Sequence, residues 1–413
     1  MTQSLINKYF FFLFVFSLIF TIIFYKLIGF SYTDEICALA LLAFFLVVVL
    51  KNKDWQFNKA FLVTLFVFCF YTLYSILIGS NSNRAIFNDL IIQIKPYLGF
   101  FCVYHIKPVF NKSYKKLLRD ISLLVWLLFL LPVGILSTVY PQAFTVAIEH
   151  PAYYGIAVSI VGLCYLYATD FTLKNKLVFL LMLSIGVFCG RSKFYGFFAL
   201  SVFAILFFSN LKSFKLSFKN VALILCTLAA VVFVARDKII LYFGQSLVAD
   251  STLEDDMIAR FMLYKTFPEV LHDYFPFGSG FATYATHSSG EFYSSLYAKY
   301  ELDSVWGLSR SYHDFISDTF YPSLAQFGVV GVILFICFWI YIIRKGFKLY
   351  KASDYADPKL FLIVLLIVCF IFIECTTGAT FIAQGGFFVM MMLGLAFSTM
   401  KSELQINENT IEK

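Results

Sequence analysis

Eight side chains in this sequence have the types and placement to handle a charged substrate: Arg191, Arg260, Arg310, His150, His313, Asp318, Lys193 and Tyr153. Arginine presents a planar fork of donors that matches phosphate oxygens and stays charged at any working pH. Arg191 stands in Gly190-Arg-Ser-Lys193, between two short apolar stretches. There it reads as an anion site at headgroup depth, or more simply as a helix-end arginine reaching for the interface. Arg260 follows Glu254, Asp255 and Asp256, and Arg310 lies fifty residues further on. The three acids suit local pairing on a helix, and an oxygen-liganded divalent cation is the sharper alternative. His313 and Asp318 belong to Ser311-Tyr-His-Asp-Phe-Ile-Ser-Asp-Thr-Phe-Tyr321. A histidine accepts a hydroxyl proton near neutral pH, and a carboxylate can accept it or orient it. His150-Pro151 and Tyr153 open an apolar run, with Pro at a favourable first helical position. No P-loop, HExxH or GxSxG pattern is present. The reading therefore includes no ATP-driven step, metal or cofactor.

The elements that must position these residues are membrane helices. Of the 413 residues 61% are hydrophobic and only 14% charged, and mean hydropathy is +0.82. Soluble domains carry about 25% charged residues. That excludes a soluble enzyme, a disordered chain and a nucleic-acid-binding domain. The 53 Phe and 26 Tyr suit lipid-facing surfaces and interfacial belts. The nine Cys show no disulfide or metal spacing and read as small hydrophobes.

A crossing needs about 20 mostly apolar residues. Twelve such spans are expected, near 9–28, 36–50, 60–79, 89–106, 120–139, 152–169, 177–190, 194–209, 221–235, 323–343, 360–376 and 384–400. The first reads as a retained anchor. The second, seventh and eighth are short, and Lys95-Pro96 interrupts the fourth. Lys95 should face the bundle interior or water. With the N-terminus in the cytoplasm, 21 of the 32 Lys and Arg fall on cytoplasmic segments and nine outside. The positive-inside rule then places both termini in the cytoplasm and residues 236–322 outside. Arg191 and Lys193 fall on the outer side, against the rule. The expected fold is all-α: a polytopic integral membrane protein, 1–413 forming one membrane domain. A long periplasmic loop, 236–322, separates spans nine and ten. Its aromatic content and helical patterning favour an ordered cap, with residues 311–327 running helically into span ten. On that helix His313 and Asp318 would point about 140° apart.

Several local patterns resemble the bacterial O-antigen polymerase and O-antigen ligase superfamily. They are Glu149-His-Pro-Ala-Tyr-Tyr-Gly155, Cys189-Gly-Arg-Ser-Lys193, Arg260 followed by Pro276-Phe-Gly-Ser-Gly-Phe-Ala-Thr-Tyr284, and Ser317-Asp-Thr-Phe-Tyr321 followed by Gln326-Phe-Gly-Val-Val-Gly331. Together they cover roughly residues 145–335, and the first 140 residues match only as a run of spans. Where ligases carry His-Asn, this chain has Ser317-Asp318, which favours a polymerase over a ligase.

The resemblance implies a glycosyltransferase of the bacterial inner membrane. It would join oligosaccharide repeat units carried on undecaprenyl diphosphate into a surface polysaccharide, O-antigen or capsule. The growing chain would pass from its lipid diphosphate to a new lipid-linked unit. Membrane lipid and a chain-length regulator protein are the implied partners. Arg191, Arg260 and Arg310 would stabilise the leaving diphosphate, with His150, Lys193 and Tyr153 completing the substrate site. His313 is the expected proton acceptor and Asp318 the group orienting the acceptor sugar; the reverse assignment stays open. A lipid-linked oligosaccharide flippase is the rival from another class, though no internal repeat is visible.

Overall fold

The computed structural model describes residues 1–29, 32–207, 255–353 and 358–411. Expected span nine, the tail of span eight, the loop stretch 236–254 and Glu254 lie outside them. The side chains of Asp255 and Asp256 do too. The described residues are helical, with no strand among them.

Twelve principal helices are α1 Gln3–Phe16, α2 Thr33–Asn52, α3 Lys59–Ile78, α4 Asn83–Ile106, α5 Lys112–Ser137, α6 Pro151–Ala168, α7 Leu173–Ser184, α8 Ser192–Phe207, α9 Asp255–Asp273, α10 Gly328–Ala352, α11 Lys359–Glu374 and α12 Gln384–Ile411. A π-helical stretch, Ser17–Ile23, extends α1, and another, Trp126–Leu130, lies within α5. Among the described residues eight helical segments are long and apolar enough to cross a membrane: those of α1 to α6, α10 with its 3-10 lead-in, and α12. Helix α8 is apolar but shorter, and α7 and α11 have 12 and 16 residues.

The capping residues set the helix starts. Asn58 accepts the Ala60 N–H at 2.9 Å, Ser82 accepts that of Ala85 at 3.3 Å, and Asn111 accepts that of Tyr114 at 2.8 Å. Each satisfies a donor that the first turn leaves free. Two expectations change here. Helix α2 is a full 20-residue helix rather than a short span. Helix α4 runs unbroken through Pro96: the lost hydrogen bond is one among many in a helix buried on most sides, and neighbouring helices support it.

The core is built around α4 and α12. Phe387 to Phe397 of α12 is almost wholly buried, as is Phe100 to Ile106 of α4. A Cβ on Gly394 would sit 2.8 Å from Val103 Cβ and 2.9 Å from the Phe100 carbonyl oxygen. Only hydrogen at this position lets the two backbones approach so closely, the usual device where helices pack in lipid.

Residues 255–320 form a cap with its own small core: Leu263 and Val270 of α9 pack with Tyr284, Tyr297, Leu308 and Ile316. The α3–α4 turn holds this cap through its main chain. Ser75 accepts the Phe281 N–H and Asp89 accepts the Ala282 N–H, both at 2.8 Å. Asn81 donates to the carbonyls of Ala282 and Phe292 at 2.8 and 3.0 Å. Residues 311–320 are turns, and Tyr321–Phe327 is a 3-10 helix, where a continuous helix is expected. Pro322 disfavours helix at Tyr321. The Ser309 hydroxyl accepts the Tyr312 N–H at 3.1 Å, and the Phe315 N–H reaches the Gly307 carbonyl at 3.1 Å. Such local side-chain bonds compete with the helix ladder. The helical spacing of His313 from Asp318 therefore lapses.

Candidate functional site

Beneath the cap, at the end of the bundle that carries Ser82 and His150, lies a cavity of about 720 Å³. That is the size of a small-ligand site. Its wall draws on the end of α1, the start of α2, the 148–156 segment, α9, the 314–318 turns and the 377–385 connection. The cavity is strongly ionic. Lys26, Lys95, Lys193 and Arg260 face Asp34, Glu35, Glu149, Asp314 and Asp318, with His150 and His287 at the wall.

Arg260 and Asp318, 58 residues apart in sequence, meet here. An Arg260 guanidinium N–H donates to an Asp318 carboxylate oxygen at 2.8 Å. Arg260 comes from α9, one turn into the stretch whose apolar side makes the cap core; Asp318 comes from the turn before the 3-10 helix. His150 caps α6 through Nδ1, which accepts the Ala152 N–H at 3.2 Å, and its Nε2 lies 2.9 Å from Arg191. One ring thus joins the start of α6 to the Gly190–Lys193 hairpin. Lys193 reaches Glu374, at the end of α11, at 2.6 Å; Glu374 is buried. Lys95 pairs with Asp34, and with Glu35 at 2.6 Å. Lys26 donates to the Thr145 carbonyl.

Of the eight residues singled out in the sequence, His150, Tyr153, Lys193, Arg260 and Asp318 line the cavity. Arg191 stands behind its wall, on His150. Arg310 is exposed, and neither it nor His313 belongs to the lining. The His313 ring lies in the cap beside Tyr293, centroids 6.4 Å apart, with Nδ1 buried and without a hydrogen-bond partner. Lys95 faces inward as expected, and its partners Asp34 and Glu35 are ones the sequence does not name. Adjacent acids at the start of an apolar span were the available signal. Nor does the sequence name Glu374, an acid at the very end of a span. Glu149 was seen only as part of a motif.

Chemically, the cavity offers cations whose partners are carboxylates or carbonyls. An incoming polyanion can exchange with those partners one for one, and the carboxylates released can then accept from hydroxyl groups. Among the described residues no three His, Cys, Asp or Glu side chains converge as a metal site. No protein-family model matches the chain, and no curated protein matches it.

Proposed function

We propose that this chain is a membrane glycosyltransferase of the O-antigen polymerase type. It joins undecaprenyl-diphosphate-linked repeat units on the periplasmic side of the bacterial inner membrane. The observation that carries the reading is the Arg260–Asp318 pair on the wall of the capped ionic cavity. In the proposed topology twelve spans leave both termini in the cytoplasm and the 236–322 loop outside. Its support is that Lys107, Lys345 and Lys401 share a pocket at the end of the bundle away from the cap, where Lys359 also meets the Thr169 carbonyl.

In the proposed reaction the donor's diphosphate takes over the Arg260 guanidinium. Its charge grows as the bond between the anomeric carbon and the phosphate oxygen breaks, and fixed donors aimed there lower the barrier. Lys193, with Arg191 held behind His150, adds positive potential along the same wall. Asp318, released from Arg260, takes the proton of the acceptor hydroxyl or orients it; His313 is the alternative acceptor. The new glycosidic bond forms at the anomeric carbon, and undecaprenyl diphosphate leaves. The donor's own bond supplies the driving force.

One observation favours the flippase reading instead: Lys95, Asp34 and Glu35 are ionisable groups within apolar helices, and they line the same cavity. Such groups commonly mark transport paths. Deleting the gene and resolving surface polysaccharide on a gel separates the readings. Loss of a polymerase leaves core bearing a single repeat unit. Loss of a ligase leaves bare core with polymer still on its lipid carrier. Bare core with unextended lipid-linked units would support the flippase and remove the polymerase.

A further inference from the structure

At the end of the bundle opposite the cap, α4, α10 and α12 converge on a second pocket, of about 290 Å³. Lys107, Lys345 and Lys401 line it together with Tyr104 and His105. Lys345 Nζ lies 4.3 Å from the centre of the Tyr104 ring, and Lys401 Nζ lies 3.9 Å from the same ring. Two ammonium groups thus lie against one aromatic ring. Lys345 also donates to the Tyr341 hydroxyl at 2.7 Å, which fixes its direction.

Among the described residues the charges here do not balance. Among the described residues the only carboxylate paired at this pocket is Asp54, 3.7 Å from Lys107 and 4.0 Å from His105 Nε2. No ion pair among them reaches Lys345 or Lys401. His105 is buried, and its Nε2 has no hydrogen-bond partner. A lysine in the last turn of a helix complements the helix dipole. Lys345 lies seven residues before the end of α10 and Lys401 ten before the end of α12, so the dipole does not account for either. Like charges gathered in one pocket repel one another unless an anion lies between them.

We propose that this pocket is a phosphoryl-anion site. Lys345, Lys401 and Lys107 would hold the oxygens, with His105 as a further donor. The anion is the phosphate of an anionic lipid headgroup or free phosphate, because both present the same oxygens to lysines. Basic pockets between membrane helices at a headgroup surface suit the first source. The site stands apart from the cavity under the cap and does not depend on the reaction proposed there.

The test uses the full-length chain purified into nanodiscs. Phospholipid retained on the protein is counted by native mass spectrometry, in phosphatidylcholine alone and with phosphatidylglycerol added. The same protein is titrated with inorganic phosphate, followed by its thermal unfolding midpoint. Lys345→Gln with Lys401→Gln should bind about thirtyfold more weakly, the order of effect two lysines have at an anionic surface. Lys345→Arg with Lys401→Arg should bind as the parent does, and so should Lys348→Gln, an exposed lysine on the same helix. Retained phosphatidylglycerol identifies a lipid; a shift with phosphate alone identifies the free ion. Equal retention and equal midpoints in the parent and the Gln double variant would overturn the site. Should that double variant fail to fold, a headgroup-photoreactive phosphatidylglycerol replaces it on the parent. Crosslinks at Tyr104, Lys345 or Lys401 support the site, and crosslinks only elsewhere overturn it.

Discussion

If Arg260 passes from Asp318 to the donor diphosphate, its removal must cost more than the ion pair itself is worth. The pair is partly buried, with side chains 16% and 33% exposed. A pair of that exposure contributes on the order of 1 kcal/mol, a factor of about five in rate. A donor aimed at charge that develops in the transition state is worth about 3–4 kcal/mol, or roughly 10²–10³-fold. The two roles therefore differ by more than tenfold, enough to tell apart. The assay is chain extension by the purified protein on lipid-linked repeat units, with Arg260→Ala, Asp318→Ala and the double variant compared at equal protein concentration. We expect Arg260→Ala to lower the rate about 10²–10³-fold. In the Asp318→Ala background the same change should still lower it more than about tenfold. Arg260→Lys should recover only part, since a point charge replaces a fork. A double variant no slower than Asp318→Ala alone would show that Arg260 serves only to hold Asp318, and the exchange would be refuted.

Four further outcomes are expected. Reporter fusions at Lys413 and near Ser288 should give cytoplasmic and periplasmic signals respectively; a periplasmic signal at Lys413 would end the twelve-span topology. Glu374→Ala leaves the nearly buried ammonium of Lys193 without its carboxylate partner, so melting in detergent should fall by several degrees, corresponding to roughly 3 kcal/mol or more, and Lys193→Met with Glu374→Met should restore most of it. Gly394→Ala puts a methyl group within 3 Å of Val103 and the Phe100 carbonyl and should cost about 1–3 kcal/mol, read as a lower thermal midpoint. Lys299 and then Tyr300 donate to Asp273 and hold its carboxyl below the usual range. A depressed value means that the tether is present above the unfolded-state value of about 4 and is lost as pH falls through the folded one. Acid-stable protease should thus cut between residues 273 and 300 faster only below about pH 4, with no change between pH 5 and 8.

How far the sequence was legible followed the range of the interactions. Helix class and most helix positions rest on local apolar runs, so they could be read directly. The gathering of His150, Lys193, Arg260 and Asp318 at one wall rested on motif positions alone; no local rule contains it. What escaped was tertiary. Asp34 and Glu35 find Lys95 across 60 residues and more, and nothing in either segment names the other. The 311–320 turns escaped for a different reason. Asp314 and Asp318 share helical spacing, yet the Tyr312 N–H goes to the Ser309 hydroxyl and the Phe315 N–H to the Gly307 carbonyl, and the chain leaves the ladder.

The α3–α4 turn grips the cap by backbone amides and carbonyls at Phe281, Ala282 and Phe292. Main-chain bonds read no side chain. The cap's surface can therefore change residue by residue without loosening its seat, while the holding residues Ser75, Asn81 and Asp89 cannot change freely. Variation between descendants of this chain should collect on the cap's outer surface and spare Ser75, Asn81 and Asp89. The cap thus has a replaceable face on a constant frame.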